Sequence, residues 1–246
     1  MPALVEMRQI AKTFGHVAAL NGVDFTVHSD EVVGLVGDNG AGKSTLMKIL
    51  TGVLQPDAGE LWFGGRRVHF HSPLDSRHSG IEMVYQDLGL AENLSAIANI
   101  FLGREVTQRS GGLRLLNERG MDRLGRQHLE GLQISLPSVA MPVERLSGGQ
   151  RQSVAIARAT AFQSRLVIMD EPAASLAVTE AAKVLALIKR LKGQGVSVIL
   201  ISHRLQDVLD VADRVVVLNR GTKVGDLPRV GITMEQIVGL IVGKVS

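Results

Sequence analysis

The chain has 246 residues, 45% hydrophobic and 21% charged, enough to bury a large core in one or two domains. A formal net charge of +3, with Lys and Arg dispersed along the chain, gives no ground for a nucleic-acid partner, and the lack of cysteine excludes disulfides. Met1–Arg8 has no charged segment leading into an apolar one, so no signal peptide is expected, and runs such as Val198–Ile201 fall far short of the roughly 18 residues of a membrane span.

Leu4–Phe14 and Val23–Val27 read as strands that pair ahead of a third, the buried apolar run Val32-Val33-Gly34-Leu35-Val36. Directly after it, Gly37-Asp38-Asn39-Gly40-Ala41-Gly42-Lys43-Ser44-Thr45 fits G-x-x-x-x-G-K-[ST], a P-loop in its required strand context. Its glycines let the backbone fold around phosphate oxygens, and the helix opening near Lys43 turns its positive end toward them. Lys43 is placed to reach the β- and γ-phosphates, and the Ser44 hydroxyl to bind Mg²⁺. Further on, His69, His71 and His78 invite comparison with a metal site. No cysteine or paired acid completes a tetrahedral set, so a solvated strand or loop is expected there.

From Gln86 to about Phe162 helical periodicity replaces the β-rich pattern, interrupted by a polar, Gly- and Arg-rich stretch from Arg104 to Gly120. Near its end stands Leu146-Ser147-Gly148-Gly149-Gln150. Ser147 is a good N-cap, the two glycines allow close backbone approach, and Val154, Ala157 and Ala161 mark an apolar face on the helix that follows. That is a second helix N-terminus aimed at an anion, and one nucleotide does not need two.

The apolar strand Arg165–Asp170 ends in the acids Asp170 and Glu171. Ligands of open parallel sheets gather at the carboxyl ends of strands, which brings both acids to the P-loop. Asp170 is the expected Mg²⁺ partner, through water. Glu171 would orient or deprotonate an attacking water, an effect on the order of 10²- to 10⁴-fold for a general base. Thr179–Lys192 reads as a helix with Val184, Ile188 and Leu191 on its buried face, ended by Gly193 or Gly195. The strand Val196–Ser202 leads to His203, which the same sheet logic sets beside the γ-phosphate, where it would position the water and couple hydrolysis to the helix beyond. Arg204–Ala212 and Arg214–Leu218 continue the alternation, and Asn219-Arg220-Gly221 turns a hairpin into Lys223–Gly225.

In this order the P-loop, Leu146–Gln150, Asp170-Glu171 and His203 resemble the motifs of ATP-binding cassette (ABC) ATPases. With Tyr85-Gln86-Asp87 as a Q-loop, the resemblance runs from about Leu4 to the final residues. It implies an α/β fold: a P-loop NTPase (RecA-like) core with an antiparallel β subdomain and an inserted α-helical subdomain, approximately residues 87–162, all within a single domain over 1–246. It implies ATP and Mg²⁺ as cofactors. Phe14 matches the aromatic that stacks on adenine, with Val17 as an apolar neighbour; the other reading of Phe14 is a core residue at a strand end. Gln86 would join Ser44 and Asp170 at the metal, and Lys43, Gln86, Glu171 and His203 would form the catalytic set.

In the resemblance, Ser147, Gly148, Gly149 and Gln150 cannot reach their own chain's nucleotide and complete the site of a second cassette, so the catalytic unit is expected to be a dimer. Met83–Leu88, Asn93-Leu94-Ser95, Asn99–Glu105 and Gly37–Gly40 are similar to segments of bacterial monosaccharide importers. The implied partners are a transmembrane permease subunit, a solute-binding protein and the second cassette, at the cytoplasmic face of the membrane, with no nucleic acid. The alternatives are the ATPase subunit of an exporter or lipid transporter, or a non-transport cassette protein. One departure stands out: where the family commonly reads P-T-S-A-L-D, this chain has Pro172-Ala173-Ala174-Ser175-Leu176-Ala177, so Ala177 replaces an Asp that helps couple the two sites.

Overall fold

The computed structural model describes residues 3–110 and 113–243. Strands β1 (Ala3–Phe14) and β2 (Val17–His28) pair antiparallel, turning over Gly15. Strand β2 starts at Val17, ahead of the expected Val23, because Asn21-Gly22, a turn signal by sequence, lies inside the strand. Gly22 (φ 64°) sits near a bulge in β1 where Gln9 adopts φ 51° and its N–H donates to Asp24 Oδ1 at 2.8 Å.

Then come β3 (Val32–Val36), α1 (Lys43–Leu50), β4 (Ala58–Phe63), β5 (Arg66–Val68), α2 (Pro73–His78) and β6 (Ile81–Val84). The next stretch holds α3 (Ala96–Phe101), β7 (Thr107–Ser110), β8 (Leu113–Leu116), α4 (Glu118–Gly131) and α5 (Gly148–Thr160). After it β9 (Leu166–Asp170), α6 (Val178–Gly193), β10 (Ser197–Ile201), α7 (Leu205–Val211), β11 (Arg214–Asn219), β12 (Thr222–Pro228) and α8 (Met234–Val242) complete the chain. The β7–β8 hairpin is a correction: the polar stretch from Arg104 to Gly120 contains paired strands, with Arg109 opposite Arg114. A Gly-Gly pair between two short runs is the sequence signal for it; those glycines, 111 and 112, lie outside the described residues. Arg220 (φ 46°) and Gly221 (φ 77°) both take the left-handed backbone that a two-residue hairpin turn demands, so β11 and β12 pair as the sequence suggests.

Six strands form the central sheet in the order β12-β11-β3-β10-β9-β6, parallel throughout except for β12, and β2-β1-β4-β5 form a separate antiparallel sheet. Alternation along the parallel strands divides their side chains between two cores. Val32 and Val36 of β3, Val167 and Met169 of β9, and Val198 and Leu200 of β10 pack with helices α3 to α7. Val33 and Leu35, Leu166 and Ile168, and Ile199 and Ile201 face the antiparallel sheet and α1. Strands buried on both faces must be apolar at every position, which is why these read as unbroken hydrophobic runs.

Arg214 ties the layers together at the start of β11. Its guanidinium donates to Glu31 Oε1 at 2.8 Å, to Asp226 Oδ1 at 2.5 Å and to the Thr26 carbonyl at 2.7 Å. Burial works against its charge, and the two carboxylates more than restore it.

Candidate active site

Val36 ends β3 at a loop that only glycine can make at two points. A Cβ on Gly37 (φ 151°) would lie 2.2 Å from the Leu218 carbonyl oxygen, and one on Gly42 (φ 103°) 2.7 Å from that of Ala19. Gly42 caps α1 without a side-chain bond, and the first turn of α1 carries no acid, so no side chain of its own turn claims the N–H groups that open this helix. Lys43 folds back under the loop, its Nζ donating to the Gly37 carbonyl at 2.7 Å and the Asp38 carbonyl at 3.0 Å. Burial pushes the Lys43 ammonium below the usual lysine range, while Glu171, Asp170 and Asp38 push it back up.

Sheet register brings the distant motifs to this loop. Ile201 of β10 pairs with Asp170 of β9 on one side and with Leu35 of β3 on the other, so the three strands end within one residue of each other. At those ends a cleft of about 420 Å³ is lined by Asn39–Thr45 together with Gln86, Asp170, Glu171 and His203, and Phe14 borders it. Phe14 is half exposed, with Lys12 Nζ 5.8 Å from its ring centroid. The structure does not bring Val17 into this cleft; the residue is 68% exposed and absent from the lining.

Glu171 occupies a strained position, with φ 52° in a residue that is not glycine. Its N–H donates to the Ile201 carbonyl at 2.9 Å, which anchors the turn out of β9 to the end of β10. Its Oε1 accepts the backbone N–H of His203 at 3.0 Å and lies 2.5 Å from His203 Nδ1. Its Oε2 is buried and has no hydrogen-bond partner among the described residues. Burial raises the Glu171 carboxyl above the ordinary glutamate range, His203 opposes that rise, and Asp170 adds to it. Asp170 is likewise raised by burial and lowered by Lys43. Sequence reasoning set His203 beside a phosphate but missed its bond to Glu171; that contact depends on strand register, which no spacing along the chain reveals.

Ser147 to Gln150 lie elsewhere. Ser147 caps α5 in a reciprocal box, its Oγ accepting the Gln150 N–H at 3.3 Å while Gln150 Oε1 accepts the Ser147 N–H at 2.9 Å. Ser147 and Gln150 border a separate depression of about 400 Å³, which Glu180 and Arg190 also line. Ser147 Oγ donates to Glu180 Oε1 at 2.7 Å. Ala177 stands at the N-cap of α6 with no side-chain bond to offer. From α5, Arg158 donates to the Leu88 and Gly89 carbonyls at 2.7 Å each, joining the segment after Gln86 to the helix that begins at Gly148. His69 and His71 pack edge to face with centroids 4.5 Å apart, and no cluster of three or more His, Cys, Asp or Glu side chains placed to hold a metal ion is found among the described residues.

Residues 20–174 match the profile of the ABC transporter family. The chain is 46% identical to the xylose/arabinose import ATP-binding protein of Sulfolobus acidocaldarius, over 100% of this chain and 98% of that protein. It is 40% identical to the fructose import ATP-binding protein of Rhizobium meliloti, over 98% and 94%. A ribose import ATP-binding protein of Burkholderia pseudomallei is 42% identical over 98% of this chain, which spans only 47% of that longer relative. Among solved structures, a nucleotide-free ATP-binding cassette from an ABC transporter superposes with a TM-score of 0.83 at 28% identity, covering 98% of this chain and 96% of that one. The ADP conformation of the cassette MJ1267 does so with 0.83 at 27% identity, over 98% and 96%.

Proposed function

The chain belongs to the ABC transporter family, as an ATP-hydrolysing cassette, and we propose that it energises the uptake of a monosaccharide through a separate membrane permease. The observation that carries this reading is identity of 40% or more, along nearly the whole chain, to cassettes named for import of xylose or arabinose, fructose and ribose. No helix among the described residues is long and apolar enough to cross a membrane. Attachment to the cytoplasmic face would therefore run through the permease, and a solute-binding protein would present the sugar.

The cleft suits a nucleoside triphosphate. Gly37 to Thr45 would cradle its phosphates with backbone N–H groups, Lys43 would offset the charge that gathers during transfer, and Phe14 would stack on the base. Ser44, Gln86 and Asp170 line one cleft with oxygen donors, a set that suits a hard cation. Bound there, Mg²⁺ would neutralise phosphate charge.

The attacking water gives up its proton as its oxygen bonds to the γ-phosphorus and the bond to the β-phosphate oxygen breaks. In this reading Glu171 Oε2, buried and without a partner among the described residues, takes that proton, while His203 holds Oε1 and so fixes the carboxylate's orientation. Ser147 to Gln150 lie outside this cleft, which supports their service to the nucleotide of a second cassette. ATP bridging both halves would close the dimer, and hydrolysis would let it open. Arg158, bonded to the segment after Gln86, gives the nucleotide site a connection to the helices that would dock on the permease.

Deletion of the gene tests the proposal: uptake of labelled ribose, xylose or fructose should fall for at least one sugar, with efflux unchanged. Uptake of all three at the parental rate would refute it.

A further inference from the structure

Glu180 bonds to the hydroxyl of Ser147, the residue that caps the second helix terminus. The first turn of α5 contains no acid of its own, and the nearest carboxylate with a bond to it comes from the first turn of α6. The seating is close: a Cβ on Gly149 would meet the Glu180 side chain at 2.9–3.1 Å, so the glycine is what lets the acid pack against the first turn of α5. There, Glu180 Oε1 accepts from Ser147 Oγ at 2.7 Å. A serine hydroxyl has one proton to donate. That proton is committed to Glu180, and the same oxygen accepts the Gln150 N–H at 3.3 Å.

We propose that Glu180 is an internal phosphate mimic that latches Ser147 while the cassette stands alone. The proposal rests on the reading that Ser147 serves the γ-phosphate on a second copy of this chain. When that phosphate arrives, Ser147 must turn its proton to it, and two anions cannot share the helix terminus without strong repulsion. Glu180 must leave, and its departure sets the ATP concentration at which two copies close. The latch lies on the segment that runs from Glu171 into α6, whose N-cap, Ala177, supplies no side-chain bond to hold the first turn in place. Glu180 is thus a positioning residue: it acts on the trans phosphate through Ser147.

The test uses the full chain with Glu171→Gln, so that ATP is not consumed, and follows dimer formation by sedimentation as Mg-ATP is raised. Adding Glu180→Gln keeps the side chain's shape and an oxygen acceptor but removes the charge. It should lower the ATP concentration at half-dimerisation by at least about fivefold. Glu180→Ala should lower it in the same direction, with ATP affinity of the monomer unchanged. A merely structural role would leave the Glu180→Gln threshold unmoved or raise it, and either result overturns the latch. A chain that stays monomeric at saturating ATP, or dimerises equally well with Ser147→Ala, overturns the trans reading and the latch with it.

Discussion

Glu171 and His203 share a single oxygen: Oε1 of Glu171 receives the backbone N–H of His203 at 3.0 Å and lies 2.5 Å from its Nδ1, while Oε2 is buried and has no partner among the described residues. The two residues come from the ends of adjacent parallel strands. One carboxylate oxygen is therefore held by His203, and the proposed chemistry falls to the other.

Replacing the acid separates binding from turnover. Glu171→Gln should bind ATP as tightly as the parent and hydrolyse it about 10²-fold more slowly or worse, since an amide cannot take the proton. Equilibrium binding of a fluorescent nucleotide and single-turnover hydrolysis check the two halves. Parental turnover in the variant would remove Glu171 from the base role.

The acid limb of the rate profile reports the same pair. Burial raises the Glu171 carboxyl and His203 holds it down, so kcat should fall with decreasing pH along a limb above the ordinary glutamate range. His203→Gln removes the opposing influence and should move that limb to higher pH. Rate profiles of both proteins decide it; an unmoved limb would show that His203 does not act on Glu171's ionisation.

Stability carries the opposite sign. Asp170 and Glu171 both have folded-state values raised chiefly by burial, so what they contribute to folding is present below their unfolded values and lost as pH rises through the raised ones. Glu171→Gln should therefore melt higher than the parent at neutral pH, with the gain shrinking as pH falls through the carboxylate range. Thermal unfolding at several pH values checks this, and a gain that grows toward acid pH would contradict it.

Ala177 leaves a helix uncapped. Its backbone is extended and its carbonyl accepts the Glu180 and Ala181 N–H groups at 2.9 Å each, the N-cap geometry, without a side-chain acceptor. Ala177→Asp should stabilise the fold by about 1 kcal/mol. Denaturant unfolding measures it, and a stability equal to or below the parent's would show that the first turn of α6 gains nothing from a cap.

Local patterns carried much of this protein. The unbroken apolar runs at Val32–Val36 and Val198–Ile201 are legible as buried parallel strands because such strands bury both faces. The P-loop is legible because its glycines answer to backbone demands: Gly37 and Gly42 stand where any Cβ would strike a carbonyl. The β7–β8 hairpin went unread because its residues lack the alternation that marks a half-buried strand; every residue of β8 is exposed. Strand β2 began earlier than expected because Asn21-Gly22 signals a turn locally, while pairing with a bulged neighbour absorbs it into a strand.

What the sequence determined by itself was which residues are candidates for chemistry, since phosphate cradles, acids at strand ends and helix caps are written in contiguous residues. Only the tertiary structure decided which of them meet. The register of β3, β10 and β9 brings Glu171 to His203 and both to the P-loop, and the packing of α5 against α6 gives Ser147 to Glu180. The Glu171–His203 and Ser147–Glu180 contacts join residues 32 and 33 positions apart, and the P-loop lies farther still along the chain; such separations are set by sheet order and helix packing rather than by any local preference of the chain.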